Sequence, residues 1–327
     1  MRENSAACWQ QDLVDGFLAD VVCGLRQRPR TIPPKHFYDA EGSRLFDLIC
    51  STPEYYPTRT ETGILECHGA EMVALAGAAC VVIELGSGSA IKTPLLLRHL
   101  SPESVYVPID ICEPHLLQST RRIAQRFPSI RARPFCADYM RLHRFEPRDC
   151  EGLRRIVFFP GSSIGNCSPD EAVQLLRQIA SLAGADGALL VGVDGKKSPD
   201  ILEAAYNDAE GHTAAFNLNL LERMRRELGA QVEPDGFCHR ARYNAARSRI
   251  EMHLVSLREQ NIQLDGEVYH FGKGEAIHTE NSYKYTVQEF QQLARRAGWH
   301  PAAVWSDPQG WFNVHGLTGL GAAVNQS

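Results

Sequence analysis

One stretch constrains the fold of this chain more than any other: Val81 to Thr93, VVIELGSGSAIKT. An apolar run ends in the carboxylate of Glu84, a Gly-rich turn follows, and an apolar helix-like segment, Pro94 to Leu100, comes next. That order marks a nucleotide-cofactor site in a doubly wound parallel sheet. Gly86 and Gly88, with Ser87 between them, lack a Cβ, so the backbone can take a positive φ and approach a ligand closely. Glu84, at the strand end, is placed to accept hydrogen bonds from a polar or cationic ligand. A dinucleotide turn wants a third glycine where this chain has Ile91. The acid at the entrance and the missing glycine favour the turn that binds S-adenosylmethionine (SAM), a nucleoside with an amino-acid tail and no phosphate. A tight turn with no ligand is the plain alternative.

The rest of the chain extends the pattern. Apolar runs at Cys80–Leu85, Val105–Asp110, Ala132–Ala137, Arg155–Phe159 and Ala188–Asp194 alternate with amphipathic stretches such as Pro114–Phe127 and Pro169–Ala183. Ser168 and Glu171 predict a capping box on the second of these. Five parallel strands with right-handed crossovers follow. The pattern breaks after Asp194. Lys196–Pro199 reads as a polar linker, Ile201–Leu228 as a long helical stretch interrupted at Gly211, and Arg249–Leu257 as a strand. Asp265–Gly266 predicts a hairpin turn, Val287–Ala297 a helix ending at Gly298, and Ala302–Trp305 with Trp311–Leu317 a terminal antiparallel hairpin. The expected fold class is α/β, a Rossmann-like methyltransferase sheet of five parallel strands plus a C-terminal hairpin, with a second α+β substrate domain over the strand ends. Residues 61–195 and 285–327 would form the cofactor-binding core, and 1–60 and 196–284 the substrate domain.

Composition narrows the partners. A net charge of −5 argues against a nucleic-acid backbone. Ten cysteines at irregular spacings form no C-x-x-C pair, so neither a metal site nor a disulfide framework is expected, and several read as buried free thiols. The opening MRENSAACWQQDLVDGF has no long apolar core of a secretion signal, and no run of about 18 apolar residues occurs. The expectation is a cytoplasmic monomer with no membrane partner.

Candidate chemistry sits at the strand ends. Asp110, in VYVPIDI, lies where an acid reaches the ribose hydroxyls of an adenosine, or caps the next helix. Asp138 and Tyr139 could bind and pack the adenine or simply cap the next turn, and FFPGSSIGN puts Pro160–Gly161 at the site edge with the Asn166 amide beside it, able to bind a ligand or only to satisfy loop backbone with Ser162 and Ser163. Lys35 to Glu61 is dense in Tyr, Asp and Arg. HTENSYKY sets Glu280 and Ser282 two residues apart, on one face if extended, able to hold the two nitrogens of an imidazole or simply to be solvated.

Taken together, PKHFYDAEGSRLFDLICSTPEYYPTRTE, ELGSGSAIKT, PIDI, FPGSSIGN, AAYNDAEGHTAAFNLNLL, EMHL and TENSYKY occur in this order. From about Leu25 to Trp311 the chain resembles the SAM-dependent L-histidine Nα-methyltransferase family of ergothioneine biosynthesis. The resemblance implies three SAM-dependent methylations of histidine to its betaine, hercynine. It implies that Gly86, Lys92, Asp110, Asp138 and Tyr139 contact SAM, and that Tyr56, Asn166 and Tyr206 hold the amino-acid end of the substrate. Glu280 and Ser282, with Met252, would line the imidazole pocket, and Tyr38 and Gly161 would lie near the reacting amine. His253 and Leu254 in EMHL, and Asn281, depart from the family pattern beside the pocket. Three other readings stand beside this one: the same reaction on tryptophan, tyrosine or a thio-substituted histidine, a non-catalytic SAM sensor, and a nicotinamide-dependent dehydrogenase. Methyl transfer needs a neutral amine, so a proton must leave, here to water, and Tyr38, Tyr56 and Phe216 could stabilise the growing cation through their rings.

Overall fold

The computed structural model describes residues 3–142, 150 and 152–319. Residues 320–327 of the expected core and the Cys8 thiol fall outside that description. The segment CVVIEL, Cys80–Leu85, is buried along its whole length, as a β-branched run flanked by parallel neighbours should be. It pairs in parallel with Val105–Asp110 on one side and Arg154–Phe159 on the other, Ile83 lying opposite both Val107 and Val157. Ala188–Asp194 adds the next parallel strand. The C-terminal strand Phe312–Thr318 pairs antiparallel with it, Phe312 opposite Asp194, and with His300–Ser306 completes an eight-stranded sheet. The sheet expected from the sequence is present.

The third strand differs from expectation. Ala132–Ala137 is split into Arg131–Ala132 and Phe135–Cys136, both parallel to Val105–Asp110. Pro134 lies in the break, and without an N–H it cannot donate to the ladder. The helix after the Gly-rich turn is also shorter, a single turn at Pro94–Leu97. Capping boxes close the starts of Pro169–Ala183, through Ser168 and Glu171, and of Val287–Arg296, through Thr286 and Glu289.

Two apolar clusters hold the sheet, one on each face. Val81, Ile83 and Leu85 join the first with Leu176, Ile179 and Trp299. Cys80 and Val82 join the second with Leu65, Met72 and Phe312. Each fully buried side chain of this size contributes roughly 1.5–3 kcal/mol. Alternation along the strand therefore assigns Glu84 to the face of Cys80 and Val82.

The chain divides into two compact units. Tyr56–Ser198, Ala246–Arg249 and Ser282–Ser327 form the unit that contains the large sheet. The other takes Met1–Tyr55, Pro199–Ala245 and Ile250–Asn281. Its frame is a sheet in which Ala276–Tyr283 lies between Arg30–Thr31 and Arg249–Ser256, with Phe237–Asn244 at the edge. A separate hairpin joins Gln260–Leu264 to Glu267–Phe271, with Asp265 and Gly266 both at positive φ, the backbone of a type I′ turn. Helices Glu3–Arg26 and Ala40–Ile49 precede it, and Gly211, at φ 77°, separates Pro199–Ala205 from His212–Leu228. Among the described residues no helix is long and apolar enough to cross a membrane.

Candidate active site

At the carboxyl end of Cys80–Leu85 the chain turns over Gly86, at φ 67°, and Gly88, at φ 48°. The N–H groups of Gly86 and Ser87 donate to the Ile109 carbonyl at 2.8 and 3.2 Å, which ties the turn to the next strand. The Asp110 carboxylate accepts from the Gly88 N–H at 2.9 Å and the Cys112 N–H at 3.0 Å, so it stands between the turn and the helix Glu113–Arg126. Asp138 caps the next turn by accepting from the Met140 N–H at 2.9 Å. Tyr139 stands edge-on to Phe159, and a Cβ on Gly86 would lie 3.6 Å from its ring. The Ser87 hydroxyl is buried with no partner among the described residues. A glycine cradle, an orphaned hydroxyl, a carboxylate and an aromatic ring together suit an adenosine-bearing ligand with an amino-acid tail.

Glu84 is placed differently from the sequence expectation. Its carboxylate is 1% exposed and accepts from the Thr93 hydroxyl at 2.7 Å and from the Tyr106 hydroxyl. It lies on the sheet face named above, where Thr93 and Tyr106 hold it and it braces the Gly-rich turn. Burial pushes its carboxyl up to about 7, against the pull of those two hydroxyls.

Lys92 and Gly161 meet through a residue the sequence did not single out. Glu61, on the helix Tyr56–Ala74, is fully buried, and its Oε2 accepts from the Lys92 ammonium and, at 2.8 Å, from the Gly161 N–H. Its Oε1 has no partner among the described residues and occupies space that only a glycine leaves open: a Cβ on Gly192 would lie 2.1 Å from it. Gly161 (φ 78°) and Ser162 (φ 61°) are both left-handed, and the following turn, Ser163–Asn166, carries the half-buried Asn166, its amide bonded to none of the described residues.

A buried charge cluster surrounds Asp194, the last residue of the fifth parallel strand. Its carboxylate accepts from the Tyr56 hydroxyl at 2.6 Å, the Lys197 ammonium at 2.6 Å and the Lys284 ammonium at 2.6 Å. Its N–H donates to the Ser162 hydroxyl at 2.9 Å. Burial alone would raise the carboxyl, but Lys284 and Lys197 outweigh it and hold Asp194 below its ordinary value. Burial brings the Lys197 ammonium down to about 8, against the attraction of Asp194. Lys197 donates to the Tyr56 hydroxyl at 2.7 Å and also stands 4.4 Å from the centre of the Tyr56 ring. That ring, which the sequence offered to the growing cation of the substrate, therefore already faces a cation of the protein itself. Lys284 donates to the Ser282 hydroxyl at 2.8 Å. Asp194 and Lys197 are three residues apart and Lys284 lies far along the chain; the three share no motif of their own, although Lys284 falls within TENSYKY.

In the other unit, the remaining expected residues gather around aromatic rings. Tyr38 stands edge-on to Phe46 and Phe216, Phe46 edge-on to Tyr55, and Tyr55 edge-on to Tyr206 at 6.1 Å. Burial, followed by the proximity of Tyr206, Cys50, Tyr38 and Glu280, raises the Tyr55 hydroxyl well above 10. Tyr55, absent from the sequence expectation, thus lies within electrostatic reach of three residues that were on it. The Tyr206 carbonyl accepts from His239 Nε2 at 2.8 Å, which leaves Nδ1 to accept from the Asn217 amide at 2.9 Å and defines a neutral tautomer. Met252 is buried, and its carbonyl accepts from the Thr279 hydroxyl at 3.1 Å, which places it beside the strand that carries Glu280.

Comparison with known proteins agrees with this chemistry. The family described as SAM-dependent, histidine-specific methyltransferase matches residues 17–318. A histidine N-alpha-methyltransferase of Mycolicibacterium smegmatis is 39% identical over 90% of this chain and 92% of its own length, and one of Mycobacterium tuberculosis is equally similar. A 4-dimethylallyltryptophan N-methyltransferase of Aspergillus fumigatus is 29% identical over 91% of this chain and 92% of its own. With the cofactor turn, the strand-end acids and the charge cluster in place, this chain belongs to the SAM-dependent, histidine-specific methyltransferases.

Proposed function

We propose that this protein methylates the α-amine of L-histidine from SAM, three times in succession, and so produces hercynine for ergothioneine biosynthesis. The observation that carries the substrate is the strand Ala276–Tyr283, which sets half-buried Glu280 and buried Ser282 at i and i+2 beside the strand of Met252. A carboxylate accepts from one ring nitrogen and a hydroxyl serves the other. An indole, with its single N–H, would leave the hydroxyl unmatched. This favours histidine over the tryptophan-type substrate named for the Aspergillus relative.

Gly86, Ser87, Gly88, Lys92, Asp110, Asp138 and Tyr139 are the residues proposed to hold SAM, with Glu84 supporting the turn from the protein side. SAM supplies an electrophilic methyl group on a sulfonium. The protein's share is to position the amine and exclude water, which for well-oriented partners is worth roughly 7–11 kcal/mol. Tyr56, Asn166 and Tyr206 are assigned to the amino-acid end of histidine, and the Tyr38 hydroxyl and Gly161 carbonyl to the amine, where they accept its N–H groups as it loses a proton to water. After the third transfer no N–H remains, and the rings of Tyr38 and Phe216, 5.6 Å apart, offer faces to the quaternary ammonium.

The test is direct. The purified protein is incubated with SAM and a full amino-acid mixture, and product masses are read. A gain of three methyl groups on histidine alone supports the reading. Trimethylation of another amino acid would discard the substrate, and no methylation would discard the enzyme.

A further inference from the structure

The turn that carries Tyr206 is fastened to the edge of a sheet. Asp208 accepts from the N–H groups of His212 and Thr213, both at 2.7 Å, and so satisfies the start of the helix His212–Leu228. The Asn207 amide pairs with the carbonyl and the N–H of Ala241, and Glu203 accepts from the Tyr243 N–H at 2.9 Å. These side chains occupy the free edge of Phe237–Asn244, the last strand of its sheet. Tyr206 meets the same strand through its carbonyl, which accepts from His239 Nε2 at 2.8 Å. That carbonyl belongs to the Tyr206–Asn207 peptide, so holding it sets the Tyr206 Cα, and the ring it bears, against the sheet.

The polarity of this contact is fixed from both ends. The Asn217 amide nitrogen lies 3.1 Å from the His253 carbonyl oxygen and 2.9 Å from His239 Nδ1. A carbonyl only accepts, so one amide hydrogen goes to His253 and the other to Nδ1. An imidazole nitrogen has a single lone pair, so an accepting Nδ1 carries no proton. The proton is then on Nε2, where the Tyr206 carbonyl, again an acceptor only, receives its hydrogen bond. A second proton at Nδ1 would face an amide N–H. Turning the amide over would set its oxygen against the His253 carbonyl oxygen and move its nitrogen to where the buried Asn217 Oδ1 now has no partner among the described residues. Burial holds the pKa of His239 below its ordinary value, against the pull of the Tyr206 carbonyl and the Asp208 carboxylate.

We infer that His239 is a positioning residue, which as a neutral ring donates to the Tyr206 carbonyl and so sets the Tyr206 side chain for the amino-acid end of the substrate. The inference rests on the reading that Tyr206 binds histidine. Tyr206 stands edge-on to Tyr55 at 6.1 Å, so a shift of its backbone displaces the ring from a buried neighbour as well as from the substrate.

The experiment compares two variants of the full chain by steady-state kinetics, beside nitrogen NMR of the wild type. The amide of His239→Gln reaches the place of Nε2 with an N–H to donate, whereas the shorter His239→Asn reaches only the place of Nδ1. In His239→Asn the KM for histidine should rise about tenfold, the size of one hydrogen bond, with the KM for SAM unchanged and kcat changed less. His239→Gln should restore the KM for histidine to within about threefold of the wild type. A role in packing alone would move both variants alike and would not single out one substrate. In the wild-type spectrum near neutral pH, His239 should carry its proton on Nε2 with Nδ1 bare. A ring protonated on Nδ1, or on both nitrogens, overturns the inference, as does a KM for histidine that is unchanged in His239→Asn or equal in the two variants. If His239→Asn does not fold, the wild-type spectrum and the kinetics of His239→Gln still decide. Any of these failures in a protein that methylates histidine removes this inference alone, whereas a wild type that neither binds nor methylates histidine removes the proposed function and this inference with it.

Discussion

Glu84→Gln isolates the energetic consequence of burying a carboxylate behind the cofactor turn. The group is 1% exposed, and burial lifts it from the ordinary 4.5 to about 7. A carboxyl raised on folding contributes stability that is whole below pH 4.5 and is lost as pH rises through 7. At ~1.36 kcal/mol per pH unit, the move from 4.5 to about 7 corresponds to about 3 kcal/mol. Glutamine keeps an oxygen for the hydroxyls of Thr93 and Tyr106 but never ionises. The variant should therefore gain about 3 kcal/mol on the wild type between acid and alkaline conditions, or roughly 5 °C in relative Tm for a chain of this size. Thermal unfolding of both proteins is measured at about pH 4.5 and 8.5, and the quantity read is the change in their Tm difference. An equal Tm difference at the two pH values would refute the reasoning, because it would mean that Glu84 titrates alike in the folded and unfolded chain.

Three further outcomes follow from the described contacts. Glu61→Gln removes the countercharge of Lys92 while leaving an acceptor for the Gly161 N–H, so SAM affinity should fall about tenfold by calorimetry, with melting lowered. Glu280→Ala should weaken histidine binding by about 1.5–3 kcal/mol, the loss of one charge-assisted bond, and unchanged affinity would sink its assignment to the ring. Asp194→Asn leaves two buried ammonium groups without their shared carboxylate and should lower stability by about 3–5 kcal/mol, read as a shift of the urea midpoint.

Much of the sheet was legible because its signals are local. Burial on both faces writes continuous apolar runs, capping boxes write Ser-x-x-Glu and Thr-x-x-Glu, and a type I′ turn writes Asp-Gly. Pro134 was legible too, but an apolar run around it concealed the break it makes in the ladder. The cofactor turn could be read from its glycines. The direction of the Glu84 side chain could not, since it depends on which sheet face each strand residue takes. The partners of Lys92 and Tyr56 were hidden for another reason: Glu61 reaches Lys92, and Asp194 with Lys197 reaches Tyr56, only after elements far apart in sequence are packed. Their identity as ionisable residues in buried positions is a property of the fold, and no spacing rule encodes it.

The bare α-carbon of Gly192 has a consequence for how this site can vary among sequences. The volume a methyl group would fill is occupied by a carboxylate oxygen arriving from another element, 2.1 Å from where the Cβ would stand. Positions 61 and 192 are thus a single choice written twice. A chain that places any side chain at the second must shorten or displace the acid at the first, and the lysine of the cofactor turn and the amide of Gly161 would then need a different anchor. In related sequences the two positions should change together or not at all.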